Sequence, residues 1–137
     1  MDLRILSQSD LGAIMQIETA LFGSEAWSEE TMSSELITPH SYYIGVFDSA
    51  LVGYAGLRLA PADFAADVLT IGVAASMQGK GIGRQLIAAG TDWAKGHGLT
   101  VVRVRSNITR SQTHQFYRHL GFADKKQQLV FEKTEES

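Results

Sequence analysis

Val68-Leu69-Thr70-Ile71-Gly72-Val73-Ala74-Ala75-Ser76-Met77-Gln78-Gly79-Lys80-Gly81-Ile82-Gly83-Arg84 is the stretch on which the fold turns. Asp67 to Val73 is apolar on nearly every position after the first and rich in β-branched residues, the pattern of a central strand. From Ile82 onward, Ile82, Leu86, Ala89 and Trp93 recur at helical spacing, and Gly96-His97-Gly98 suits the helix end. Between strand and helix lies a glycine-rich turn. Its backbone N–H groups have no helical partner and stand at the positive end of the helix dipole. Such a turn is a seat for a phosphate-bearing ligand. Glycine at 79, 81 and 83 permits unusual dihedrals and close ligand approach, and Lys80 and Arg84 add positive charge beside the anion.

Two common phosphate sites do not fit. A P-loop ends in Gly-Lys-Ser/Thr, whereas Gly83 is followed by Arg84-Gln85, with no hydroxyl for Mg²⁺. A dinucleotide fold needs Gly-x-Gly-x-x-Gly and an acid ending the next strand; the spacing from Gly79 is wrong and that acid is missing.

Outward from the turn, Leu3 to Leu6 reads as a first strand, and Asp10 as the cap of a helix bearing Leu11, Ile14, Ile17, Leu21 and Phe22. Phe22 to Trp27 interrupts it, and Ser28 caps a second helix with Glu29 and Glu30 in its first turn. Tyr42–Phe47 and Leu51–Leu59 form a hairpin about Asp48-Ser49-Ala50. Later come a strand at Thr100–Arg105, a helix at Ser111–Leu120 stopped by Gly121, and a short strand at Gln128–Lys133. Hairpins mixed with crossover helices imply an α/β (α+β) fold, a mixed twisted sheet with helices on both faces.

The 137 residues suit one domain, 1–137, with an ordinary 45% hydrophobic and 20% charged composition. A net charge of −3 argues against general nucleic-acid or membrane binding. The lack of cysteine excludes disulfides and thiolate metal sites, and no metal is expected. With no signal-like start and no run of transmembrane length, a cytoplasmic location is expected. Monomer and dimer both stay open.

Gln78-x-x-Gly81-x-Gly83 after a central strand resembles the pyrophosphate loop of the GNAT superfamily of acetyl-CoA-dependent N-acyltransferases. The resemblance runs through nearly the whole chain. Phe47 to Leu57 (Phe-Asp-Ser-Ala-Leu-Val-Gly-Tyr-Ala-Gly-Leu) is similar to the family's first hairpin. Arg110 to Phe122 is similar to its late helix, closing on Phe116-Tyr117-x-x-Leu120-Gly121-Phe122. The family's mostly antiparallel sheet is therefore the expected architecture. The resemblance implies that Gly79, Lys80, Gly81, Gly83 and Arg84 hold the CoA pyrophosphate, with Gln78 shaping the turn. It implies that the pantetheine arm pairs with backbone groups of Ile71 and Val73, freed where the strand splays at a bulge. A strand N–H near Gly72 or Val73 would polarise the thioester carbonyl. Ala75 stands where many relatives have proline.

Tyr117 matches the family tyrosine beside the CoA sulfur, where a phenol can protonate the leaving thiolate. Packing of the helix on the sheet is the plainer role for Tyr117 and Phe116. For the general base the candidates are Asp67, Glu18 and His114. Asn107 can bond CoA or a water, or cap a loop; Arg110 and Arg118 suit the 3′-phosphate end of CoA, or a solvated face.

The acceptor implied is a primary amine, of a protein N-terminus or a small molecule. In this superfamily the loop carrying Trp27 lines the acceptor site, and Phe22, Trp27, Tyr42 and Tyr54 are candidate wall residues, with Phe22 and Tyr42 better read as core. Glu25, Glu29, Glu30 and Glu35 make the region acidic. Ile17-Glu18, Ala26-Trp27-Ser28 and Thr70-Ile71-Gly72-Val73 resemble the branch that acetylates the N-terminal alanine of a ribosomal protein. That branch carries Glu-Val-Arg on the next strand, with the Glu as base, where this chain has Arg103-Val104-Arg105. It also carries Asn where this chain has Arg110, and from Val101 on the chain resembles another GNAT type. A CoA-binding module without catalysis is the alternative from another class.

Overall fold

The computed structural model describes residues 1–105, 123–125 and 130–134. Strand β1 (Asp2–Ile5) leads through a single 3-10 turn into helix α1 (Leu11–Phe22), and a second 3-10 turn (Gly23–Glu25) precedes helix α2 (Glu29–Leu36). Strands β2 (Ser41–Asp48), β3 (Ala50–Ala60) and β4 (Ala65–Val73) follow as a meander. Helix α3 (Ile82–Gly96) then crosses to β5 (Val101–Arg105), with β6 (Ala123–Lys125) and β7 (Val130–Thr134) beyond.

The described strands form one sheet in the order β1-β2-β3-β4-β5-β7-β6. Every neighbouring pair is antiparallel except β4 with β5, which run parallel. A parallel neighbour requires a crossover, and α3 supplies it. Predicted and observed elements agree within a residue or two up to β5. The strand at 123–125 was not anticipated. The predicted helix Ser111–Leu120 lies outside the described residues.

The sheet buries both faces. On one, Ile44, Val46, Leu57, Val68, Ile71 and Val73 pack against Ile82, Leu86 and Ile87 of α3. On the other, Tyr43, Leu51 and Tyr54 meet Ile14 and Ile17 of α1 and Met32 of α2. Two capping expectations come out differently. Ser28 caps α2, its Oγ accepting from Thr31 N at 3.1 Å. Asp10 does not cap α1 with its side chain; its carboxylate accepts from Ser7 N at 2.9 Å and pairs with Arg4 at 3.2 Å. The reason is the 3-10 turn Gln8–Asp10, which places Asp10 inside a turn that Ser7 opens.

Candidate active site

Among the described residues, the pairing of β4 with β5 ends halfway along β4. The parallel pairs run from Ala65↔Val101 to Val68↔Val104. On the other side β4 stays paired with β3 to Val73, but the register steps from Leu57↔Val68 to Gly56↔Thr70. Leu69 is therefore the extra residue of a β-bulge, directly after the last described pair with β5. A bulge bends and twists its strand at that point.

Register shows which backbone groups turn away from β3 beyond that point. Ala74 N donates to Val52 O at 2.9 Å, so Ala74 and Val52 form a hydrogen-bonded antiparallel pair. Such pairs alternate with non-bonded ones. Counting back from that pair, Gly72↔Tyr54 is bonded, while Val73↔Gly53 and Ile71↔Ala55 are not. The N–H and C=O groups of Ile71 and Val73 thus turn outward, away from β3. Gln78 Nε2 donates to Val73 O at 3.0 Å, capping one of those carbonyls and holding the turn against the strand end. Of the two oxyanion donors considered from sequence, Gly72 spends its N–H on β3; Val73 presents its own outward.

The turn itself has the geometry that glycine allows. Gly79 and Gly81 have φ of 81° and 83°, in the left-handed region. A Cβ built on either meets nothing within 4 Å, so dihedral strain rather than crowding selects glycine there, and the space above the loop is open. Gly81 is the N-cap of α3, and the first bond of the helix runs from Gln85 N to Gly81 O at 3.0 Å. The N–H groups of the first turn precede that bond and meet the dipole's positive end. Gln78, Gly79, Lys80, Gly81 and Arg84 are exposed, and Gly83 is buried at the base. An outward strand edge running into an open, cationic nest fits a long ligand with a phosphate end and a hydrogen-bonding amide arm.

On the opposite face from α3, Glu18 of α1 is fully buried. Its carboxylate accepts from Tyr54 Oη, from Trp27 N at 2.9 Å and from Thr70 Oγ1 at 3.5 Å. Tyr54 is fully buried too, and its ring fills the space beneath Gly72, where an added Cβ would lie 2.8 Å from it. It is a core residue rather than an exposed wall. Phe22 is also buried, Tyr42 stacks on Trp93 at 4.9 Å, and Trp27 is half-buried against the α1–α2 core.

Asp67, a candidate base, sits within β4. Its Oδ1 accepts from Arg103 Nε at 2.8 Å, and Arg103 also reaches Asp63 at 3.0 Å. These acids raise the Arg103 pKa, Asp67 most, against the lowering effect of burial. A carboxylate so engaged is poorly placed to take a proton from substrate. Glu35 is likewise committed, to Tyr43 Oη at 2.9 Å and to Arg58. Burial, then the Glu35 bond, raises the Tyr43 pKa, so this phenol stays neutral. Tyr117, Asn107, Arg110, His114 and Arg118 lie outside the described residues. Among the described residues, no cluster of three His, Asp or Glu side chains is placed to hold a metal, and no helix is long and apolar enough to cross a membrane.

Known proteins share this architecture. The family model described as acetyltransferase (GNAT) family matches residues 11–122. The chain is 35% identical over 123 residues to the N-alpha-acetyltransferase RimI of Mycobacterium tuberculosis, which covers 85% of this chain and 75% of that protein. It superposes on the ribosomal-protein-S18-alanine N-acetyltransferase from Escherichia coli with a TM-score of 0.74 at 21% identity, covering 91% of this chain and 79% of that one. The PaiA N-acetyltransferase from Thermoplasma acidophilum, solved in complex with coenzyme A, gives a TM-score of 0.77 at 19% identity, with 98% of each chain covered. At these identities the two structures speak to the fold.

Proposed function

The chain belongs to the GNAT family of acetyltransferases, and from that premise we propose that it acetylates the N-terminal amine of a protein. Acetyl-CoA is the family's donor. The observation that carries the donor site is the outward edge of β4 between Leu69 and Val73, which runs into the glycine nest. Backbone groups of Ile71, and the second lone pair of Val73 O, would pair with the pantetheine arm. The amides from Gly79 to Arg84, with Lys80 beside them, would hold the pyrophosphate, and Gln78 braces the turn. Asn107 would add a polar contact from beyond β5.

The chemistry is direct transfer. The neutral amine attacks the thioester carbonyl carbon, forming the amide C–N bond as the C–S bond breaks. Val73 N–H stabilises the carbonyl oxygen as it gains charge. Tyr117 donates its proton to the departing sulfur, and the nitrogen gives up its own proton to solvent or a bound water. The N-terminal amine as acceptor is supported by the 35% identity to an N-alpha-acetyltransferase. A small-molecule amine is the second reading. Arg103, tied to Asp63 and Asp67 where the alanine-specific branch carries its base, favours it.

Turnover of acetyl-CoA with a panel of peptides of varied first residue and of small amines decides between them. The account expects the best kcat/KM with a peptide. Turnover confined to small amines would move the chain to the second reading.

A further inference from the structure

Apart from the donor loop, the fully buried Glu18 joins several elements of the described core. Three of its partners come from three elements. Tyr54 lies on β3, Thr70 on β4 one residue past the bulge, and Trp27 N on the segment between α1 and α2. Tyr54 also packs its ring beneath Gly72, between the two residues whose backbone turns outward. A continuous chain of contacts therefore runs from the open edge of β4, through Tyr54 and Glu18, to the backbone at Trp27.

Direction gives that chain a purpose. A thioester lying along the outer edge of β4 has α3 and its apolar core on one side. An incoming amine must use the other face, where Thr70 and the Ala26–Trp27 segment lie. We propose that Glu18 is a positioning residue for the acceptor, its carboxylate clasping the Trp27 backbone to β3 and β4 so that the α1–α2 segment borders the point where the described pairing of β4 with β5 ends. The proposal rests on the functional reading above. Glu18 touches no substrate in this role; it acts through the segment it holds. Its two oxygens give each of these groups an acceptor, and of the three the Trp27 N–H can only donate. A side chain of similar length without oxygens offers none of them an acceptor.

The test uses the whole chain with Glu18→Met, which keeps the length and removes both oxygens, and with Tyr54→Phe, which keeps the ring under Gly72 and removes only the hydroxyl. Steady-state kinetics with the best acceptor, titration with acetyl-CoA and hydrogen exchange at the Trp27 amide are read together. The proposal expects acceptor KM to rise about tenfold or more, acetyl-CoA affinity to stay within about twofold, and Trp27 exchange to accelerate at least as much as KM rises. It is overturned if acceptor KM is unchanged while Trp27 exchange accelerates, or if acetyl-CoA affinity falls in step with acceptor KM. A slow Trp27 amide in both folded variants also overturns it. Absence of turnover in the unmodified chain with every amine would instead break the functional reading, and Trp27 exchange alone would then judge the clasp.

Discussion

The two faces of the sheet are built on different principles. The α3 face is filled by aliphatic side chains meeting Ile82, Leu86 and Ile87, and of the described buried polar residues only Thr91 belongs to α3. The α1–α2 face carries Glu18, Thr70 and Tyr54 in one network, and Tyr43, Glu35 and Arg58 in another. Arg103 joins that face by strand alternation, because Val102 and Val104 point to α3. Apolar packing is close-fitting but non-directional, enough to hold a rigid platform behind the glycine nest. Hydrogen bonds are directional, and each buried partner left unpaired is costly, so they fix a loop's path in a way that aliphatic contact cannot.

That contrast can be broken by substitution. The largest loss is expected on the apolar face, where Leu86→Ala removes a fully buried side chain and should cost about 2–5 kcal/mol, read by denaturant unfolding. On the polar face, Glu18→Ala takes the carboxylate away from the Tyr54 hydroxyl and the Trp27 amide; about 1–3 kcal/mol is expected, in the same measurement. A Glu18→Ala loss equal to that of Leu86→Ala would erase the distinction. Gly81→Ala sharpens it at the nest. With φ at 83° and no atom near the new Cβ, only backbone strain acts, about 1–2 kcal/mol, yet acetyl-CoA binding should weaken clearly in calorimetry. Intact affinity would separate the loop's shape from its ligand. The smallest effect is expected at Ser28→Ala, about 1 kcal/mol from loss of the α2 cap, with acetyl-CoA affinity unchanged.

Much of this was legible in the sequence because it is local. The apolar run ending at Val73, the glycines at 79 and 81 and the cap at Ser28 each announce themselves within a few residues, and the structure puts them in the expected strand, turn and helix. Long-range choices were harder. Nothing near Asp67 signals Arg103, which lies far along the chain and meets it only through β4–β5 register. Tyr54 gives no local sign that it belongs beneath Gly72. Glu18 is flanked by apolar positions on its helix, a pattern that marks burial but cannot name partners on two strands and a loop. The bulge itself was implied by the family resemblance, but its place at Leu69 follows from pairing with β3, which a strand's own composition does not encode.

The central claim is that the outer edge of β4 and the glycine nest form one site for acetyl-CoA. Backbone amide shifts followed by NMR during acetyl-CoA titration test it most directly. The account predicts saturable changes concentrated at Ile71, Val73 and the amides from Gly79 to Arg84, with Leu3 and Ile5 on the far edge strand unmoved. Saturable binding that leaves those β4 and loop amides unchanged, or no binding at millimolar acetyl-CoA, would contradict it.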